Sequence, residues 1–330
     1  MTDPEICAAV RQHYGLAVRA VERIDRGSAA LFKLYGSEAA FILKVFQPNF
    51  RADSILREVH ATDLLPQNGI SVPEYIPCRN GDFYFMQNGR IAILQAFIPG
   101  QTREKGCCSK RELLDSARLL AQIVNALEHY PYDDLLPCEI SRYGSAARLL
   151  QAKAAYADLM AAAHADAVHG AEICRDLQDR LVMIARVSDA GAFVNTNALT
   201  LKRSHGDYSV MQLLYDGSEI KAVLDFVNAG EVPIAWELIR SYSYMDCTFN
   251  AARLAAYTNE YRRYAEVSMD DLRYMPYLYL SQLLSSTYGY KQYLQTGDEE
   301  LLAFGRWRTE MCRYLIANAR EVSAELVRLA

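Results

Sequence analysis

The chain has 330 residues, 51% hydrophobic and 23% charged, with a formal net charge of −5. That length supports two hydrophobic cores, the acidic balance without a basic run argues against nucleic acid as main partner, and no stretch reaches the ~20 uninterrupted apolar residues that cross a bilayer. Eight dispersed cysteines, with no C-x2-C pair and a vicinal Cys107-Cys108 ill suited to an ordinary disulfide, fit a reducing compartment better than a zinc site or a disulfide scaffold.

The opening MTDPEICAAVRQHYG carries early acids and no apolar leader core, so no signal peptide is expected. Residues 21–24 and 30–34 are short apolar runs around Asp25-Arg26-Gly27-Ser28, and 39–46, AAFILKVF, is a third. Lys44 sits inside the last run. A lysine in an apolar strand is either an edge residue whose stem snorkels or a charge held over a ligand. Residues 52–65 repeat apolar positions at near-helical intervals, and Glu58 falls on that helix beside Arg57. Residues 82–87 and 90–97 read as a hairpin joined by Asn88-Gly89, a type I′ dipeptide, and the second strand ends at Ile98-Pro99-Gly100.

From there the pattern is mostly helical. Residues 109–129 open with a Ser109/Glu112 capping box, and further helices are expected over 145–163, 171–186, 250–267, 269–293 and 299–329. Residues 213–215 and 220–226 are β-rich runs around Asp216-Gly217-Ser218, so Gln212 before the first strand and Asp225 after the second meet at one end of a hairpin. An amide oxygen and a carboxylate suit Mg²⁺, and Asp207, in the loop before them, can face a substrate hydroxyl; phosphoryl transfer asks for that division of labour.

This segment resembles the aminoglycoside phosphotransferase and choline kinase group, small-molecule relatives of the protein kinases. The group's signature is HGD-x4-N, a hairpin, then an Ile or Val, an aliphatic residue, Asp, and Phe or Trp. His205-Gly206-Asp207 and Val223-Leu224-Asp225-Phe226 match it in order and spacing. The resemblance implies an α+β, bilobal protein-kinase-like fold. Residues 1–99 would form a nucleotide-binding lobe with an antiparallel sheet and one helix, and 100–330 a larger, mostly helical lobe with the catalytic loop, metal site and acceptor-binding helices.

The resemblance further implies Asp207 as catalytic base, Mg²⁺ on Asp225 and Gln212, and His205 in support. Lys44 would pair with Glu58 on the phosphates of ATP or GTP, the amides near Gly27 and Ser28 would cover those phosphates, and backbone groups of Gln95, Ala96 and Phe97 would meet adenine. Glu237 stands where the group often has an Asp that buttresses the catalytic loop; it is either that or a helix-start acid favoured by the macrodipole. The implied acceptor is a hydroxyl of an aminoglycoside, amino alcohol, sugar or related small molecule. A cytoplasmic monomer or weak homodimer, with no nucleic-acid or membrane partner, is expected.

Two further features depart from the pattern. Gln212 replaces the usual Asn, and the loop at Gly27 has one glycine, with Ala30 where an Asn is frequent. They leave a second expectation, a kinase-fold nucleotide-binding or regulatory protein with weak or no catalysis, which the retention of Asp207, Asp225 and Lys44 opposes. The late tyrosines, among 22 in the chain, read either as acceptor-pocket faces or, position by position, as core.

Overall fold

The Thr2 amide donates to Glu5 Oε2 at 2.7 Å and Pro4 occupies the first turn, so helix α1 starts sharply and runs over Asp3–Tyr14 until Gly15 turns left-handed at φ 74°. This helix is not among those expected from the sequence. The protein is described from a computed structural model covering residues 1–24, 29–48, 50–189, 194–246 and 248–329.

Strands β1 (Ala20–Ile24), β2 (Ala30–Tyr35) and β3 (Ala40–Val45) precede helix α2 (Ala52–Leu64), followed by β4 (Tyr75–Ile76), β5 (Phe85–Gln87) and β6 (Arg90–Ala96). They form one six-stranded sheet in the order β1-β2-β3-β6-β4, with β5 also on β6, and every pairing is antiparallel. Alternation along the strands sends Phe32, Leu34, Leu43, Val45 and Leu94 to a core shared with Ile6, Val10 and Tyr14 of α1. Ile91 and Ile93 face the other way and pack with Ile55 and Val59 of α2. The sheet is therefore covered by a helix on each face. Asn88 and Gly89 both take positive φ, 50° and 72°, as the type I′ turn requires.

Helix α3 (Lys110–Glu128) begins at the expected box, the Glu112 amide donating to Ser109 Oγ at 3.3 Å and the Ser109 amide to Glu112 Oε2 at 2.8 Å. Then follow α4 (Ala146–Ala163), α5 (Gly170–Asp189), β7 (Leu201–Ser204), the hairpin β8 (Leu213–Asp216) and β9 (Glu219–Val223), β10 (Gly230–Pro233), α6 (Ile234–Met245), α7 (Ala251–Arg262), α8 (Met269–Leu284), α9 (Tyr290–Thr296) and α10 (Glu299–Arg328). The helix expected over 269–293 is two helices. Gly289 at φ 102° separates them, where a Cβ would stand 2.7 Å from Gly305 Cα.

The chain divides into two compact units, Met1–Leu136 with Arg203–Glu231 and Tyr244–Cys247, and Pro137–Lys202 with Val232–Ser243 and Thr248–Ala330. Both are discontinuous, so a single cut after Pro99 does not describe where the chain is compact: α3 and the 203–231 segment belong with the sheet. The second unit is helical and built around Arg180, a fully buried guanidinium that donates to Thr309 Oγ1 at 2.9 Å, Ser286 O at 3.0 Å and Gly305 O at 3.2 Å. No described helix is long and apolar enough to cross a membrane.

Candidate active site

Because Leu43 and Val45 point to the α1 face, Lys44 points to the α2 face, where Glu58 is. The Lys44 ammonium lies 4.0 Å from Glu58 Oε1 but donates directly to Asp225 Oδ1 at 2.6 Å. The expected pair is thus a triad, with the shorter contact to the carboxylate that was assigned to the metal. Its members differ in exposure: Glu58 is 1% and Asp225 39% exposed at the side chain.

Burial pushes the Glu58 carboxyl up, Lys44 pulls against that, and the Asp225 charge pushes further up. For Lys44 burial works the other way, and the two carboxylates outweigh it, so the ammonium is held above the ordinary lysine range. Lys44 is the better partnered of the two. Tyr75 and the Phe226 backbone also favour the charged form of Glu58, but among the described residues neither of its oxygens has a well-formed hydrogen bond, so the lysine is the main offset to burying that charge.

The turn after β7 carries His205, Gly206 and Asp207. His205 is fully buried; its Nε2 is 2.8 Å from Leu224 O, and its Nδ1 is 3.3 Å from the Asp207 amide. A carbonyl only accepts and an amide N–H only donates, so the pattern selects the neutral ring with its proton on Nε2. One imidazole therefore ties the Asp207 backbone to the residue preceding Asp225. Gly206 is required for the same closeness: its φ is 75°, and a Cβ would stand 2.0 Å from Asn228 O. Asp207 itself is partly exposed.

Past Asp207, Ser209 caps a single turn over Val210–Gln212. The Leu224 amide donates to Gln212 O at 2.8 Å and Leu213 pairs with Val223, so the hairpin sets Gln212 beside the strand end that leads into Asp225. Asp225 takes a left-handed backbone, φ 68° and ψ 59°, which ends the strand and starts a short turn. The Asp225 carboxylate and the Gln212 amide oxygen are hard oxygen donors of the kind Mg²⁺ takes, one or two protein oxygens with water and phosphate completing its shell. No cluster of three His, Cys, Asp or Glu that could hold a metal ion occurs among the described residues.

Arg57, one residue before Glu58, is a functional neighbour the sequence reading missed. It is buried, and its guanidinium donates to Val227 O at 2.8 Å and Asp134 O at 2.7 Å. The helix bearing Glu58 is thus bolted to the turn that follows Asp225. Arginine is a mostly exposed residue type, so nothing local announces its burial. Beside it, His60 Nδ1 is 2.8 Å from Asp134 Oδ2, and its ring stacks on Tyr132 at 4.0 Å.

The other expected residues fall as follows. Gly27 and Ser28 lie outside the described residues. Gln95 is buried on β6, but the amides of Ala96 and Phe97 donate to Glu74 O at 2.9 Å and Ala40 O at 3.0 Å. Those two amides donate within the protein. Glu237 lies in the first turn of α6, fully buried.

The late tyrosines are mostly core: Tyr242, Tyr257, Tyr279 and Tyr290 are buried, with hydroxyls on Asn250 O at 2.8 Å, Ser241 Oγ at 2.7 Å, Ser243 Oγ at 2.7 Å and Thr309 Oγ1 at 3.1 Å. Asp271 is buried in the first turn of α8, where it completes the capping box with Ser268 and accepts also from the Thr200 amide at 2.9 Å.

Residues 20–267 match the phosphotransferase enzyme family. No curated protein matches the chain by sequence. Among solved structures, the chain is similar to spectinomycin phosphotransferase in complex with ADP and spectinomycin, at 11% identity and a TM-score of 0.68 over 100% of this chain and 99% of that one. It is similar also to a microcompartment-associated aminopropanol kinase, at 14% identity and 0.62 over 99% and 100%. An amicoumacin kinase in complex with AMP-PNP, Ca²⁺ and Ami gives 13% and 0.65 over 95% and 94%. At those identities the structures speak to fold, the protein-kinase-like fold of small-molecule kinases, and the sequence match speaks to kinship: the chain belongs to the phosphotransferase enzyme family.

Proposed function

We propose that this phosphotransferase moves the terminal phosphoryl group of ATP, or GTP, to a hydroxyl of a small molecule, with Asp207 as the group that orients the hydroxyl and takes its proton. The observation that carries this is the single cluster made by Lys44, Glu58 and Asp225, joined through His205 to the backbone of Asp207.

In this reading Lys44, held charged by its two carboxylates, moves its contacts to the nucleotide phosphates, and Glu58 keeps the ammonium aimed. Asp225 and Gln212 hold Mg²⁺, which when bound neutralises phosphate charge and orients the leaving group. Asp207, on a turn locked by Gly206, accepts the proton of the acceptor as its oxygen attacks phosphorus. Positioning and charge do most of the work, because phosphoryl transfer offers little covalent chemistry to the protein. Fixed backbone around Asp207 and Asp225 suits that demand.

A low-molecular-weight alcohol is the acceptor class favoured by family membership and by neighbours whose own substrates are spectinomycin, aminopropanol and amicoumacin. The test is titration calorimetry with non-hydrolysable ATP and GTP analogues, with and without Mg²⁺, followed by an acceptor screen. Mg-dependent binding, weakened by Asp225→Ala, with turnover abolished by Asp207→Asn while the analogue still binds, supports the assignment. Undiminished turnover in Asp207→Asn removes Asp207 from its role. Absence of analogue binding under every condition favours the non-catalytic alternative.

A further inference from the structure

We propose that Ser209 is a positioning residue that holds the Gln212 carboxamide in place for the divalent cation. This rests on the reading of Gln212 as a cation ligand and goes beyond it, because it names what makes so long a side chain usable there.

Ser209 is 1% exposed and its backbone is extended, φ −162°. Its Oγ accepts from the Met211 amide at 3.3 Å and donates to Gln212 Oε1. The Met211 amide occupies one lone pair of Oγ, and the hydroxyl's single proton goes to the carboxamide oxygen. The Gln212 backbone is tied on both sides, its amide to Ser209 O at 3.1 Å and its carbonyl to the Leu224 amide at 2.8 Å. Only the side-chain torsions remain to be set, and the serine hydroxyl sets them.

The need for such a device follows from the cation. Mg²⁺ requires near-octahedral geometry with oxygen at about 2.0–2.1 Å. A glutamine brings one more rotatable bond than an asparagine, and fixing it on binding costs entropy. An amide oxygen has two lone pairs. With one accepting from Ser209, the other is left for the cation, and the ordering cost is met before the ligand arrives. Hydrogen bonds to metal-bound groups commonly change metal affinity by about 10–100-fold.

The test measures Mn²⁺ affinity of the full-length protein with a non-hydrolysable ATP analogue by electron paramagnetic resonance, together with analogue affinity without metal and the melting temperature. Ser209→Ala is expected to weaken Mn²⁺ about tenfold, with metal-free analogue affinity unchanged. Ser209→Thr, which keeps the hydroxyl on a backbone suited to β-branched residues, restores it. In a Gln212→Asn background, where the shorter amide loses its contact with the serine, Ser209→Ala has no further effect on Mn²⁺. Ser209→Gly serves if the alanine variant folds poorly.

Wild-type Mn²⁺ affinity in folded Ser209→Ala or Ser209→Gly overturns the proposal. If Asp225→Ala still abolishes metal-dependent binding, the functional reading survives that result. If wild-type protein binds no Mn²⁺ with the analogue, both fall together.

Discussion

Lys44 stands between two carboxylates of different surroundings, bonded at 2.6 Å to the half-exposed Asp225 and 4.0 Å from the buried Glu58. Its replacement by Met strips the main offset from Glu58, which relieves itself by taking up a proton, since its carboxyl is already pushed up. Lys44→Met is therefore expected to fold while kcat/KM falls by about 10²-fold or more. Steady-state kinetics beside a thermal melt check this. A melting temperature that collapses in step with activity assigns the lysine a structural role instead.

Gly206→Ala should be among the most damaging single-atom additions in the chain. The left-handed backbone costs a side chain of order 1 kcal/mol, and a Cβ at 2.0 Å from Asn228 O forces the turn away from its neighbour. Loss of turnover with a weakened but cooperative urea transition is expected. Retained activity would show that the turn tolerates displacement.

Arg57→Met leaves the carbonyls of Val227 and Asp134 without their buried donor. Each unsatisfied group costs roughly 1–3 kcal/mol, so the denaturant midpoint should fall, and Arg57→Lys should recover only part because one ammonium cannot reproduce the fork. Equilibrium unfolding of both variants measures it. A Lys variant as stable as wild type removes the two-carbonyl clamp.

The Ser109 cap has a pH signature. Burial raises the Glu112 carboxyl, but the hydrogen bonds from Ser109 and the charge of Arg103 outweigh it, and the net pKa lies below the ordinary 4.5. A folded-state pKa below the unfolded one contributes stability above the unfolded value, and that contribution is lost as pH falls through the folded one. Glu112→Gln, which keeps weaker neutral hydrogen bonds to Ser109 and loses the Arg103 pair, should be roughly 0.5–1 kcal/mol less stable at neutral pH, with the gap closing below pH 4.5. A gap that is constant with pH counts against the ionised cap.

What was legible in the sequence was local. Asn88-Gly89, the Ser109/Glu112 box and the hairpin around Asp216-Gly217 each need only neighbouring residues, and each is present, although the second hairpin strand, expected to reach residue 226, ends at Val223. The Lys44 contact to Asp225 joins residues 181 apart, and no periodicity encodes it. Helix α1 was read only as the absence of a leader, although Ile6, Val10 and Tyr14 carry its apolar stripe and Thr2 with Glu5 its cap. The burial of Glu58 and Arg57 was hidden for a different reason: charged side chains are assigned to solvent by type, and only tertiary partners reverse that.

The discontinuity of the first unit has a consequence during synthesis. Residues 1–136 emerge early, but the 203–231 segment of the same unit follows only after the whole of Pro137–Lys202, and its last piece, Tyr244–Cys247, later still. Until Asp225 has left the ribosome, Lys44 lacks its nearest carboxylate and the Arg57 guanidinium lacks the Val227 carbonyl. A nascent chain stalled before residue 203 should therefore expose α2 to protease, and one released past residue 231 should protect it.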